Sequence, residues 1–258
     1  MLSTKNMIAS NARIANTAII EDDVIIGENT VIGEYSIIRS GTRIGANNKI
    51  SAHVLIGGEP QDHAYKGETS YVEIGDNNII REFATVHKAT GEGKLTKIGN
   101  NNMFMVGSHV GHNSQIGNNV VMANNTCLGG YVHIENNVTL GGGAMVHQHC
   151  RIGKYAMMSG MAAANHDLIP FFIYMGVPAG AISTNRIGLK RADFDQTSLS
   201  EIMRAFKIIY CKERLNRDNL IQRLETELEQ SAEIRYIINF IKASTRGVAL
   251  NTFNHKSR

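Results

Sequence analysis

The sequence is poor in several features, and each shortage excludes a class of protein. It has three cysteines, Cys127, Cys150 and Cys211, and this odd, unclustered set argues against a disulfide framework or a thiolate zinc site. No stretch approaches the ~20 apolar residues of a membrane-spanning helix. Residues 1–10 also lack the long apolar region of a secretory signal. We therefore expect a cytoplasmic protein without a transmembrane segment.

Charge of one sign is also scarce. The chain has 26 Lys and Arg against 23 Asp and Glu, a net charge of +3, which is too small for a nucleic-acid footprint. The positive charge is concentrated late in the chain, because residues 186–258 hold 14 basic and 9 acidic residues, a net charge of +5. We expect no nucleic-acid partner.

The sequence is rich in glycine, and the 25 glycines are not scattered. From Ile8 to Met158, 23 of 26 positions spaced six apart carry Ile, Val, Leu, Met or Phe, and the next residue is Gly eleven times. A period of six fits neither an amphipathic helix nor simple strand alternation. It is typical of a parallel β-helix, in which three hexapeptides form one triangular coil with the aliphatic residues inward. We therefore predict a mainly β protein.

Three repeat positions break the pattern, and they indicate inserted loops. Asp62, Glu68 and Glu92 stand where an apolar residue is expected, within the polar segments 57–73 and 88–97. We predict a β-helix domain over residues 1–185 with these two loops. After residue 185 the spacing becomes helical, with a capping box at Ser198-x-x-Glu201. A small α-helical domain of three helices is expected over residues 186–258.

One candidate site lies along the outer wall of the predicted β-helix, which has the shape of a triangular prism. Steps of three hexapeptides, one coil each, place His112, Gly130, Gln148 and His166 in one column. A solvent-facing histidine can accept a proton at neutral pH, and a glycine N–H one coil away can stabilise an oxyanion. His109 and His147 lie beside this column. The combination suits acyl transfer from a thioester to an alcohol.

Together these features resemble the UDP-N-acetylglucosamine O-acyltransferases of lipid A biosynthesis. The motifs that carry the resemblance are Gln61-Asp62, Val72-Glu-Ile-Gly-Asp76, Arg81-Glu82 with His87, Leu95-Thr-Lys-Ile-Gly99, His109-x-x-His112, Ala123-Asn-Asn-Thr126, His147-Gln148, Gly188-Leu-Lys-Arg191 and Ser244-Thr-Arg-Gly247. The resemblance implies a left-handed β-helix, a homotrimer and a site between subunits. It implies a (3-hydroxy)acyl donor on the 4'-phosphopantetheine of acyl carrier protein, a UDP-sugar acceptor, and no separate cofactor or metal.

The resemblance also assigns roles to residues. His112 is expected to be the general base for the sugar 3-hydroxyl, with Asn113 beside it, and Gly130 the oxyanion donor. Gly160 stands where the family measures acyl length. The expected substrate contacts are Gln61, Asp62, His87, His109, Tyr131, His147, Gln148, Gly160, His166, Asn185, Lys190 and Arg191.

Departures from the family pattern leave the acceptor open. Five residues differ from the family pattern: Asn113 stands in place of an Asp, Ala64 in place of a Lys, Tyr131 in place of a His, Ile187 in place of a Glu and Ala192 in place of an Arg. The nearby Lys66 could substitute for the missing Lys. Four of these five touch the acceptor side. N-acylation of a 3-amino UDP-sugar is therefore an alternative, since an amine needs less activation than a hydroxyl. A metal-dependent hydratase on the same fold and a non-catalytic trimeric scaffold are less favoured alternatives.

Overall fold

The chain folds into a prism of short strands followed by helices. This computed structural model describes residues 6–211 and 215–252. Three sheets form the walls of the prism, and the first 24 strands along the chain fall on successive walls. Neighbouring strands within a wall are parallel, apart from one antiparallel pair at the end of the second wall. The predicted left-handed parallel β-helix is confirmed.

The strands are numbered in chain order. Wall 1 contains β1 (Met7–Ile8), β4 (Ile25–Ile26), β7 (Thr42–Ile44), β10 (Tyr71–Ile74), β13 (Leu95–Ile98), β16 (Gln115–Ile116), β19 (His133–Ile134) and β22 (Arg151–Ile152). Wall 2 contains β2 (Arg13–Ile14), β5 (Val31–Ile32), β8 (Lys49–Ile50), β11 (Ile79–Ile80), β14 (Met103–Phe104), β17 (Val121–Met122), β20 (Thr139–Leu140), β23 (Met157–Met158), β25 (Phe172–Met175) and β26 (Gly180–Thr184). Wall 3 contains β3 (Ile19–Ile20), β6 (Ile37–Ile38), β9 (Leu55–Gly58), β12 (Thr85–His87), β15 (His109–Val110), β18 (Cys127–Leu128), β21 (Met145–Val146) and β24 (Ala163–Ala164).

The repeat positions form the core of the prism. Ile32, Ile38 and Leu128 are at most 1% exposed, and each stacks on the equivalent residue of the next coil. Burying such a side chain contributes about 2 kcal/mol. The glycines after these positions allow the coils to approach closely: a Cβ added at Gly27 would lie 2.5 Å from the Gly45 carbonyl carbon. The core is therefore one side chain deep and depends on stacking.

The two inserted loops preserve the register because of their lengths. Ile44 pairs with Ile74, and the interval between them exceeds one coil by two whole hexapeptides. Ile74 pairs with Ile98, and this interval exceeds one coil by a single hexapeptide. Neither insertion therefore changes the phase of the repeat. The loops are shorter than the predicted segments, since strands β9, β10 and β13 extend into them and leave residues 59–70 and 88–94 outside the walls.

The loops hold each other through two of the carboxylates that break the repeat. Glu68 Oε1 accepts a hydrogen bond from the Gly91 N–H at 2.6 Å, and Glu92 Oε2 accepts one from the Thr69 N–H at 3.1 Å. The Gly93 N–H donates to the Thr69 carbonyl at 2.8 Å. We call this pair of joined loops the loop clasp.

Four helices follow the prism in the described part of the chain: α1 (Arg186–Arg191), α2 (Gln196–Ile209), α3 (Arg217–Glu227) and α4 (Ala232–Lys242). The expected three-helix pattern missed α1, which is too short to show a periodic pattern. The predicted capping box at Ser198 is wrong. Asp195 caps α2 instead and accepts a hydrogen bond from the Ser198 N–H at 2.7 Å, which places Ser198 in the first turn. The proposed domain boundary at residue 185 stays a prediction.

The segment after α4 returns to the prism. Ser244 Oγ donates to the buried carboxylate of Asp167 at 2.7 Å, and Val248 forms a β-bridge with Asp167. Residues 243–252, which we call the C-terminal segment, therefore lie against the last coils. No helix in residues 6–211 and 215–252 has the length and apolar character needed to cross a bilayer.

Candidate active site

A cavity of about 650 Å³ lies along wall 3, beside the inserted loops. The coil-to-coil register aligns His109, Cys127, Met145 and Ala163 on successive strands of this wall, so their side chains lie in one row. Of the predicted site residues, the cavity is lined by Gln61, His87, His109, His112, Gly130, His147 and Gln148. Its other lining is largely apolar and includes Val177 and Pro178.

The orientation of His112 is fixed by its neighbour Asn113. Asn113 Oδ1 accepts a hydrogen bond from the Thr90 N–H at 2.8 Å, while Nδ2 donates to the Thr90 carbonyl at 3.0 Å. Because the backbone settles which end of the amide is oxygen, His112 Nδ1 must donate its proton to Oδ1, 2.9 Å away. His112 Nε2 therefore carries the lone pair, and it faces Gly130, where an added Cβ would lie 2.4 Å from it.

Asn113 suits this position for a second reason. Its φ of +59° lies in the left-handed region, which asparagine tolerates better than most residues. Its own N–H donates to Thr96 Oγ1 at 2.8 Å. The His112 imidazole is thus held in a chain of contacts that runs from Asn113 through Thr90 to the loop clasp.

Asp62 supplies negative charge near His112. Its Oδ2 lies 3.9 Å from His112 Nδ1, and its Oδ1 accepts a hydrogen bond from the Ala64 N–H at 2.9 Å. That backbone hydrogen bond is the largest cause lowering the pKa of Asp62, so its carboxylate is ionised at neutral pH. Asn113 stands where the family pattern has an Asp, and its side chain is neutral. Asp62 therefore provides the negative charge that Asn113 lacks.

His87 and His109 form a second pair of rings in the cavity wall. Their ring centres are 4.9 Å apart with the planes at 89°, and His109 Nδ1 is 2.8 Å from Thr85 Oγ1. Burial lowers the pKa of His109 to about 4, with His87 and His112 adding to the effect, and burial also lowers the pKa of His87. Both rings are neutral at pH 7 and available for hydrogen bonding to a substrate.

The low pKa of His109 predicts a pH-dependent stability. The unfolded chain binds a proton at this residue below pH 6.5, while the folded chain does so only near pH 4. The contribution of His109 to the free energy of unfolding is therefore fully present above pH 6.5. It is lost as the pH drops towards 4, and the loss is about 3 kcal/mol. When urea unfolding is measured between pH 4 and 7.5, the free energy of unfolding should decrease less with falling pH in His109→Gln than in the wild type. Parallel curves for the two proteins would contradict the assignment.

Several predicted contacts lie outside this cavity. Tyr131 stands edge-on to His112 with ring centres 5.2 Å apart and stacks on His149, at the outer corner of the prism. Gly160 faces the Gly142 carbonyl oxygen, 3.2 Å from an added Cβ. His166 lines a different cavity, with residues of the C-terminal segment. The predicted four-residue column therefore contributes three members to the cavity along wall 3, which we call the catalytic cavity.

The three remaining predicted contacts lie on and before α1. Asn185 caps this helix by accepting a hydrogen bond from the Gly188 N–H, and its Nδ2 donates to the Tyr155 carbonyl at 2.9 Å. Lys190 and Arg191 occupy the last turn of α1. Within one chain, none of the three lines the cavity that contains His112.

Sequence reasoning missed the positioning contacts. Thr90 holds Asn113 through backbone groups, which leave no signal in the sequence. Glu68 holds the Gly91 N–H, and the sequence showed it only as a break in the repeat. Cys127, known only as an unclustered thiol, lies in the cavity wall. Arg246 belongs to a quoted motif, Ser244-Thr-Arg-Gly247, but had no assigned role. It donates to His147 Nδ1 at 2.9 Å.

Replacing Glu68 should slow catalysis without touching the cavity. Glu68→Ala removes the acceptor of the Gly91 N–H, which loosens the Thr90 backbone that holds Asn113. We expect kcat to fall by about tenfold or more with a smaller change in KM, because a misplaced base costs rate rather than affinity. Glu73→Ala, an exposed carboxylate on β10 outside the clasp, is the matched control. Equal kcat values in the two variants would contradict the positioning role.

The described residues of one chain offer no evident site for a resident metal. Among residues 6–211 and 215–252, no group of three or more His, Cys, Asp or Glu residues is arranged to hold a metal ion. A zinc hydratase needs three converging ligands. The hydratase alternative stays untested.

Comparison with known proteins agrees with the repeat and the tail. Residues 23–58 and 95–130 match the family described as bacterial transferase hexapeptide (six repeats). Residues 167–249 match the second domain of UDP-N-acetylglucosamine O-acyltransferase.

Whole-chain relatives and solved structures give the same result. The acyl-[acyl-carrier-protein]–UDP-N-acetylglucosamine O-acyltransferase of Syntrophobacter fumaroxidans is 42% identical over 207 residues, 80% of each protein. That of Rippkaea orientalis is 45% identical, covering 79% of this chain and 73% of the relative. The solved UDP-N-acetylglucosamine acyltransferase of Campylobacter jejuni superimposes with a TM-score of 0.84 at 32% identity, over 97% of this chain and 98% of that one. The chain belongs to the acyl-[acyl-carrier-protein]–UDP-N-acetylglucosamine O-acyltransferase family.

Proposed function

We propose that this protein transfers a 3-hydroxyacyl chain from acyl carrier protein to the 3-hydroxyl of UDP-N-acetylglucosamine, the first step of lipid A biosynthesis. One observation carries the proposal. His112 Nε2, free to accept a proton, faces Gly130 in a cavity that is polar at the inserted loops and apolar at its far end. That arrangement suits a hydroxyl nucleophile and a lipid thioester.

The residues allow a direct transfer. His112 Nε2 removes the proton of the sugar hydroxyl as its oxygen attacks the thioester carbonyl carbon. The Gly130 N–H stabilises the oxyanion that forms. When the carbon–sulfur bond breaks, the imidazolium returns the proton to the departing thiolate of phosphopantetheine. The products are an ester and a free thiol, and no cofactor beyond the donor's own arm is needed.

The positive charge on His112 during this step is stabilised from one side. Asn113 Oδ1 accepts the Nδ1 proton, and the Asp62 carboxylate lies 3.9 Å from Nδ1. A carboxylate at this distance favours the imidazolium without removing its proton. The loop insertion therefore completes the base as well as binding substrate.

An acyl-cysteine route is less favoured. Cys127 lines the cavity, but burial raises the pKa of its thiol, so the nucleophilic thiolate is scarce at neutral pH. The hydroxyl activated by His112 is the better nucleophile. Direct transfer without a covalent enzyme intermediate is the proposed route.

The proposal includes a homotrimer in the cytoplasm. Gly160, Asn185, Lys190 and Arg191 do not reach the cavity of their own chain, so we assign them to the cavity of a neighbouring subunit. Light scattering should then give three times the mass of one chain. Mixed trimers of His112→Ala and Arg191→Ala chains should regain activity, because some sites would receive both intact residues. A monomer with full activity would contradict this assembly.

The acceptor is tested by competition. The purified protein receives 3-hydroxyacyl carrier protein and equal concentrations of UDP-N-acetylglucosamine and its 3-amino analogue. We expect mainly ester product, which mild alkali cleaves, in contrast to an amide. Predominant amide would instead support the N-acyltransferase alternative, which the replacement of Asp by Asn113 motivates.

A further inference from the structure

The described lining of the catalytic cavity contains no side chain with the permanent positive charge that suits a phosphate. This lining includes histidines, glutamines and apolar residues, but, among the residues that the structure describes, neither Lys nor Arg. Both substrates of the proposed reaction, on which this inference rests, carry phosphate: the nucleotide sugar a diphosphate, and the donor a phosphodiester in its pantetheine arm. These anions must therefore be bound beyond the cavity wall.

A second cavity of about 420 Å³ lies next to the first, between the prism, α3, α4 and the C-terminal segment. We call it the C-terminal cavity. It is lined by His166, Arg217, Leu220, Ile241, residues 244–248 and Leu250. Two guanidinium groups and an imidazole thus line this space, and its described lining includes no carboxylate. Such a lining favours an anion, and arginine suits the paired oxygens of a phosphate.

Arg246 connects the two cavities. Its Nε donates to the Asn165 carbonyl at 2.8 Å, and its terminal nitrogen donates to His147 Nδ1 at 2.9 Å. His147 and Asn165 both line the catalytic cavity, while Arg246 and the next residue, His166, line the C-terminal cavity. A ligand held by Arg246 would therefore begin at the edge of the catalytic cavity.

The two arginines are held in place but keep hydrogen-bonding capacity. Arg217 donates to the carbonyls of Lys242, the last residue of α4, and Ser244, while Arg246 makes the two bonds given above and a side-chain contact with Cys150. A guanidinium has five N–H groups, so each retains donors for a ligand. The Ser244–Asp167 hydrogen bond anchors the segment that carries Arg246.

The order of residues along wall 3 separates the two substrates. Gln61 and His87 lie on the loop side of His112, and they are polar groups suited to a sugar. Met145 and Ala163 lie on the other side, towards β24, and are apolar groups suited to an acyl chain. The C-terminal cavity lies beyond this second side. The C-terminal cavity is therefore placed to bind the donor, whereas Lys190 and Arg191 on α1 are available to bind the nucleotide.

We infer that the C-terminal cavity binds the phosphodiester of the donor's 4'-phosphopantetheine arm, with Arg246 as a direct contact. The arm then enters the catalytic cavity past His147. The guanidinium also contacts His147, whose Nδ1 lies 2.9 Å from the Arg246 terminal nitrogen and 3.2 Å from the Gln148 carbonyl oxygen.

Calorimetry with 4'-phosphopantetheine and with pantetheine, which lacks the phosphate, tests this site. The wild-type protein should bind the phosphorylated compound about tenfold more tightly, as expected for a charge-assisted contact. Arg246→Met should abolish that preference, and Arg246→Lys should restore part of it. Arg235→Met, which removes an exposed arginine on α4, should leave the preference intact.

Three results would overturn the inference. They are equal binding of both compounds by wild type, a preference that survives in Arg246→Met, and a loss of UDP-N-acetylglucosamine affinity in Arg246→Met in place of the phosphate preference. The first needs no variant and holds even if Arg246→Met fails to fold. Acyl transfer by the wild-type protein is measured separately, so failure of the proposed function is distinguishable from failure of this site.

Discussion

Replacing His112 with alanine should lower kcat by about 10³-fold, within the range that general-base catalysis supplies. The cavity keeps Gly130, Gln148 and the other positioning groups, so the KM values for both substrates should change much less. The rate is measured as acylated nucleotide formed under saturating donor and acceptor. The loss follows from the geometry at Nε2, which is the free nitrogen because Asn113 accepts the proton on Nδ1.

A histidine on the same prism provides the control. His53 stacks between Tyr35 and Phe83 at an exposed corner and lines none of the cavities described above. His53→Ala should retain the wild-type kcat. More than a tenth of wild-type activity in His112→Ala would show that another group removes the hydroxyl proton.

Replacing Gly130 with alanine should lower kcat by about 10²-fold or more. The added Cβ would lie 2.4 Å from His112 Nε2 and 2.5 Å from its Cε1, closer than real atoms approach. The imidazole must move, and a displacement of about 1 Å can cost 10²-fold in rate. Steady-state kinetics and a melting curve measure the two consequences.

A double substitution separates the clash from a general loss of folding. In His112→Ala/Gly130→Ala the imidazole is absent, so the melting temperature should recover towards that of His112→Ala alone. Its kcat should equal that of His112→Ala, because both changes act on one unit. A melting temperature that stays low in the double variant would point to backbone strain at position 130 and contradict the proposed clash.

The sequence predicted the prism well because the repeat is a local signal. Every sixth residue reports an inward position, and insertions of whole hexapeptides leave that phase intact. His166 lines the C-terminal cavity and not the catalytic one, because the chain leaves regular coiling after β24. There Asp167 pairs with Val248 of the C-terminal segment, and the step of one coil no longer applies.

The site was predictable only where a side chain itself faces the cavity. His109, His112 and His147 follow from the register of wall 3, but the loop clasp does not, since it depends on backbone groups of residues 90 and 91. Arg246 lies far along the chain from His147, the histidine it contacts. Such contacts depend on how the C-terminal segment returns to the prism, and local periodicity carries no signal for that path.

The central claim is a direct transfer from the donor thioester to the sugar hydroxyl, with His112 as the base. A quenched single-turnover reaction, analysed by mass spectrometry of both nucleotide and intact protein, tests it most directly. We predict that the donor acyl mass appears on UDP-N-acetylglucosamine as an alkali-labile ester while the protein mass stays constant throughout. Acyl mass on the protein before it reaches the nucleotide, or donor consumption without acylated nucleotide, would contradict the account.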